Sequence, residues 1–236
     1  VTAFVLAMAA QEFSGAMQPQ VAVGSGGAAY VAMIRDGNIV VAASDDGGKT
    51  FGEPVVAIDA AGEARGGMRR GPRIGVDGKG GLVVTAPVCF DKAELRNRYP
   101  ASELWLVRSS DKGKTWTKPV RVNEVPKKAA EALHWMAVDD SGTAHVAWLD
   151  VREKNANCLW YARVAGEKPE RNRRITDPVC ECCAPGMALD GKGNPVIVVR
   201  EGQKQDRGIL MTISSNKGQS FGKPGIVSDV KSNVDG

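Results

Sequence analysis

Aromatic residues are scarce, 6% of the 236 residues, and charge of one sign never accumulates: the formal net charge is +4. Without a block of like charge there is no electrostatic footprint for nucleic acid, so nucleic acid is not an expected partner. No run of 18 apolar residues exists, so no helix of this chain is expected to span a membrane. What is plentiful is glycine, at 28 residues. Many tight turns and few long helices fit that balance. With 43% hydrophobic and 25% charged residues, the chain can bury a sizeable core.

One stretch organises the rest. Ser44-Asp45-Asp46-Gly47-Gly48-Lys49-Thr50-Phe51 returns as Ser109-Ser110-Asp111-Lys112-Gly113-Lys114-Thr115-Trp116. A weaker copy, Ser214-Ser215-Asn216-Lys217-Gly218-Gln219-Ser220-Phe221, has Asn for Asp and Ser for Thr. Each copy follows an apolar, strand-like run and precedes a short strand carrying proline. The chemistry is that of a tight hairpin. A short acceptor side chain bonds backbone N–H groups of its own turn. The glycine two residues on takes positive φ, and the closing aromatic packs under the turn. The first reading of the motif is therefore structural.

These three copies resemble the Asp box, or bacterial neuraminidase repeat, of the sialidase superfamily. Longer repeats surround them, starting at Pro19, Pro72, His134 and Pro185. Each start opens a strand, a turn and a second apolar strand; a polar loop, a third strand, a motif position and a fourth strand follow. The third repeat has lost its motif: Ala165-Gly166-Glu167-Lys168-Pro169 stands there instead. Four-stranded units of about 40–50 residues are the signature of propeller blades. The expected fold is all-β, a sialidase-like β-propeller with about four four-stranded blades. The resemblance implies six blades in the complete fold, and a compact four-bladed ring is the alternative. The propeller is read as one domain over residues 14–236.

Residues 1–13 read as the remnant of a signal peptide or an edge segment. The apolar run closing on Ala7-Met8-Ala9 favours the signal, and with it export to the periplasm or outside the cell. Five cysteines suit an oxidising compartment. Cys180, Cys182 and Cys183 fall within four residues. Disulfides from Cys182 or Cys183 to Cys89 or Cys158 are the first reading, and a soft metal such as Cu(I) or zinc is the second. No cofactor is otherwise implied.

In such a blade the repeated turns gather at one end, the back. The loops of the opposite end, the front, carry the candidate chemistry. Sialidases have an Arg-Ile-Pro element whose Arg joins a triad that clamps the substrate carboxylate. Aligning Pro72 with its proline places Arg70 at the arginine, with Gly71 in place of Ile. Arg152 and Arg200, at or after the ends of second strands, are candidates to complete the triad, since planar guanidiniums bind a carboxylate bidentately. Solvated or locally paired arginines, with Asp150 and Glu201 as partners, are the structural alternative. The resemblance implies an Asp acid/base and a Tyr–Glu nucleophile. Asp91 is the first acid/base candidate and Asp150 the second. Tyr30, Tyr99 and Tyr161 do not fit the nucleophile. His134 reads as a satisfied strand-end residue, and the five tryptophans as packing between blades. The functional expectation is a sialidase-like glycoside hydrolase with a glycan or glycoconjugate as partner. A non-catalytic propeller binding glycan or protein, and a metal-carrying propeller, are the alternatives.

Overall fold

The computed structural model describes residues 11–64, 66–67, 70–96, 101–129, 133–153, 156–202 and 208–228. The apolar opening at 1–10, and Tyr99, lie outside these. The chain forms four antiparallel four-stranded sheets, each a meander of consecutive strands. These are the blades of a β-propeller. The first blade is β1 (Met17–Val23), β2 (Ala29–Arg35), β3 (Asn38–Ser44) and β4 (Val55–Ile58). The second is β5 (Arg73–Val76), β6 (Leu82–Val88), β7 (Glu103–Ser109) and β8 (Val120–Arg121). The third is β9 (His134–Val138), β10 (Ala144–Glu153), β11 (Ala156–Val164) and β12 (Arg173–Pro178). The fourth is β13 (Gly186–Leu189), β14 (Pro195–Arg200), β15 (Ile209–Ile213) and β16 (Gly225–Ser228).

Period-2 alternation divides each strand between two neighbours. In β2, Tyr30, Ala32 and Ile34 join the apolar core shared with the second blade. Met33, on the other face, packs with Val40, Ala42, Phe13 and Phe51. Further cores join the second blade to the third and the third to the fourth. The tryptophans serve this packing: Trp105 and Trp116 in the first of these cores, Trp148 and Trp160 in the next, Trp135 in the last. The inner strands follow one another in contact, β1 on β5, β5 on β9 and β9 on β13; no packing of that extent joins β13 to β1 among the described residues. The outward flanks of the first and fourth blades keep Val21, Val23 and Ile213 exposed. The fold reaches back to Gln11, whose side chain bonds both the N–H and the carbonyl of Phe51. Gln11 and Phe13, in the stretch read from the sequence as a signal remnant or an edge segment, thus pack with the first blade.

The repeated turns have the expected construction. Asp46 Oδ1 accepts the N–H groups of Lys49 and Thr50, and its Oδ2 accepts the Thr50 hydroxyl at 2.7 Å. Asp111 is bonded in the same way by Thr115. Ser44, Ser109 and Ser214 accept the N–H of Gly48, Gly113 and Gly218. Asn216 keeps the geometry, accepting the Ser220 N–H at 2.9 Å. In the third blade, where the motif is missing, an ion pair of Arg163 with Glu170 at 3.1 Å spans the hairpin instead.

Hydrogen bonds from Thr115, then from Ser109, hold the Asp111 carboxyl down from 3.8 to about 2. A folded-state pKa below the unfolded one gives stability that is complete above the unfolded value and is lost as pH falls through the folded one. Asp111→Asn, which copies the natural Asn216, is therefore expected to flatten the acid limb of the stability curve between pH 4 and 2. Urea midpoints across that range check it; an unchanged acid limb would mean the turn does not act through this charge.

Candidate functional site

The repeated turns and the turns between first and second strands share the back end. Gly47 N–H bonds Gly27 O there, and Lys217 N–H bonds Asn194 Oδ1. Of the described residues, the front collects 59–64, 66–67, 70–72, 89–96, 101–102, 123–129, 133, 179–185, 201–202 and 208, together with the Glu153 and Ala156 ends of β10 and β11.

Asp150 and Arg152 were expected in a loop. They lie inside β10, because β10 and β11 continue as a paired ribbon to Glu153 and Ala156. Alternation then sets Asp150 on the same face as Trp148, towards the second blade. Asp150 is fully buried, and Trp148 Nε1 donates to it at 3.0 Å. Arg152 clamps it with Nε at 3.0 Å and a terminal nitrogen at 2.6 Å. The Arg152 guanidinium lies 3.9 Å from the Trp160 ring centroid and also bonds Asn172. Asn172 reaches the second blade through Val122 O and Glu124. The structure thus brings Asp150 and Arg152 together as an interblade clasp. It does not bring Arg152 to Arg200. On β14, Val199 faces the third blade's core, so Arg200 points to the opposite side, with a terminal nitrogen 4.0 Å from Cys183 Sγ. Arg70 is half-buried and closes a turn from Gly67 at the front of the second blade.

Sequence reasoning passed over Arg73. It opens β5, is 5% exposed, and sits 4.8 Å above the Trp135 ring on β9. One terminal nitrogen donates to Pro72 O at 3.0 Å. Burial lowers its pKa. Its signal was an arginine in a short inner strand, alternating with the core residues Ile74 and Val76. His134 is buried with Nε2 3.1 Å from the Thr85 hydroxyl, as a satisfied strand-end residue should be.

Asp91 is on the front surface. It pairs with Lys127 at 3.0 Å, and its Oδ1 accepts the Ala93 N–H. Lys127, and then that backbone bond, lower its pKa. Beside it, Phe90 is 41% exposed and stacks edge-on against Trp105 with centroids 5.0 Å apart. Phe90 is the one aromatic among the exposed large apolar side chains of the described residues.

The cysteines are not joined as expected. All five are free. Cys158 is buried in the core between the second and third blades, and Cys89 donates to Asp91 O at 3.6 Å; neither is a partner for the cluster. Cys180, Cys182 and Cys183 instead face one another, their sulfurs all within 4.8 Å. Cys180 and Cys182 are 3.4 Å apart. The Cys182 thiol is pushed up to about 11, first by its hydrogen bond with Cys180 and then by burial.

No known protein family and no curated protein matches this chain by sequence. Solved structures do match by fold. A Hadza microbial sialidase superposes with a TM-score of 0.59 at 16% identity, over 89% of this chain and 46% of its own. An ulvan lyase, described as a new family of polysaccharide lyase, gives 0.61 at 15%, over 90% and 56%. An α-L-arabinofuranosidase from Lactobacillus brevis gives 0.56 at 12%, over 89% and 72%. The fold is a sialidase-like propeller. The chain spans about half the length of the sialidase and the lyase.

Proposed function

We propose that this is a carbohydrate-active propeller that takes a glycan on its front face, at Phe90 and Asp91. The observation that supports it is an exposed aromatic ring held edge-on by a second ring, next to an ionised carboxylate. An aromatic face offers a stacking surface for the C–H face of a sugar ring, and a carboxylate accepts its hydroxyls. The propeller neighbours, a sialidase, a polysaccharide lyase and an arabinofuranosidase by their descriptions, agree with that class. In the hydrolytic version of this reading, Asp91 serves the acid/base step and Arg70 contacts an anionic substrate. The depressed Asp91 pKa suits a base or an acceptor better than a proton donor, because a general acid must keep its proton at working pH. That favours glycan binding without turnover as the second reading. An apolar run ending in Ala7-Met8-Ala9 supports export.

A glycan panel read by calorimetry and by hydrolysis of fluorogenic glycosides separates the two versions. Phe90→Ala is expected to weaken binding about tenfold, or about 1.4 kcal/mol. Asp91→Asn is expected to abolish turnover if turnover exists. Binding untouched by both substitutions would move the site off this surface.

A further inference from the structure

The turn Cys180–Cys183 is held on three sides. Cys183 N–H points to Cys180 O at 3.5 Å, a one-turn closure that brings positions i, i+2 and i+3 together. Cys180 N–H bonds Arg200 O at 3.0 Å, and Val179 bridges Glu201. Gly202 lies so close that a Cβ there would sit 2.4 Å from the Val179 carbonyl carbon. The backbone of the turn is therefore fixed by the β14 end rather than by its own residues. Cys180 is buried, Cys183 half-buried and Cys182 exposed, so the cluster is anchored at one sulfur and open to solvent at another.

We propose that Cys180, Cys182 and Cys183 form a three-coordinate thiolate site for Cu(I). Metal–sulfur bonds of about 2.3 Å set three sulfurs in a trigonal plane about 4 Å apart. The sulfurs here, 3.4 Å apart between Cys180 and Cys182 and all within 4.8 Å, bracket that spacing. Among the described residues no fourth histidine, cysteine or carboxylate joins the group. Structural zinc takes four ligands, whereas soft thiolates select Cu(I) as well as zinc, and a three-sulfur set suits the lower coordination number. Three thiolates around a monovalent ion carry net negative charge, and the Arg200 guanidinium, 4.0 Å from Cys183 Sγ, lies where it offsets that charge. Binding replaces three S–H protons by the ion, with no change of oxidation state. The site is independent of the carbohydrate reading.

The test is a titration of the full chain, reduced with a phosphine under argon, with Cu(I) in competition with bicinchoninate. One copper per chain is expected, with three sulfur neighbours in X-ray absorption. Cys182→Ser, at the exposed position, is expected to weaken retention at least about tenfold, a difference of about 1.4 kcal/mol. The triple serine variant, shown folded by circular dichroism, should retain none, while Cys89→Ala retains it all. Equal copper in the triple variant would overturn the proposal. So would well under one equivalent in the parent, or zinc held in preference, with Co(II) substitution showing a tetrahedral spectrum.

Discussion

Asp150→Ala is expected to cost about 3–5 kcal/mol of stability, the usual effect of stranding a buried charge. Arg152 is 9% exposed and would keep its charge with its carboxylate gone. Trp148 Nε1 and the Arg152 N–H would lose their acceptor in the same step. Asn172 and the Trp160 face would remain, and neither carries a countercharge. Total domain stability is typically about 5–15 kcal/mol, so the loss would be visible as a large shift of the urea midpoint. Asp150→Ala combined with Arg152→Met should recover much of it, since removing both charges leaves apolar surface against Trp160. Non-additivity of that kind marks direct coupling. A loss below about 1 kcal/mol for Asp150→Ala would mean that water reaches the pair and that it behaves as a surface ion pair. The clasp commits both Asp150 oxygens within the protein, which weighs against a second task as proton donor.

The blades were legible because two local periodicities coincide. Turn chemistry recurs at Asp46, Asp111 and Asn216, and alternating apolar strands stand on either side of each copy. Each of those signals lives within a few residues, where short side chains and positive-φ glycines have few alternatives. The site was less legible because it depends on which way a strand-end side chain turns. Arg152 read as a residue at or after the end of a strand, but β10 runs on to Glu153; that continued pairing with β11 turned a ligand candidate into a core clasp. Arg73 and Arg70 flank the same Pro72, and only packing separates the one on Trp135 from the one at the front turn. The cysteines show the limit from another side. Their spacing announced chemistry, but the choice between bridging Cys89 or Cys158 and facing one another rests on the Gly202 contact and the bridge to Glu201, which are long-range in sequence.

Three glycines in equivalent motif positions should respond very differently to alanine. Gly48, Gly113 and Gly218 have φ of +84°, +85° and +78°, so each substitution meets the left-handed penalty of about 1–2 kcal/mol. Around Gly48 the nearest atom to an added Cβ is 3.8 Å away, and around Gly113 it is 3.4 Å away, both side-chain carbons. At Gly218 the added Cβ would lie 1.9 Å from Tyr161 Oη and 2.8 Å from its ring carbon. Tyr161 has nowhere to go. It is 1% exposed, its hydroxyl is 2.6 Å from His145 Nδ1, and its ring packs edge-on against Phe221. Overpacking of a fixed core adds about 1–3 kcal/mol. Gly218→Ala is therefore expected to lose about 3 kcal/mol or more, against roughly 1 kcal/mol for Gly48→Ala. The excess should shrink in a Tyr161→Phe background, where the clashing oxygen is gone and the backbone penalty remains. Equal losses at Gly48 and Gly218 would show that the third and fourth blades are not packed through this hydroxyl. An excess loss confined to Gly218 and relieved by Tyr161→Phe would place the contact between the fourth blade's turn and the third blade's strand β11.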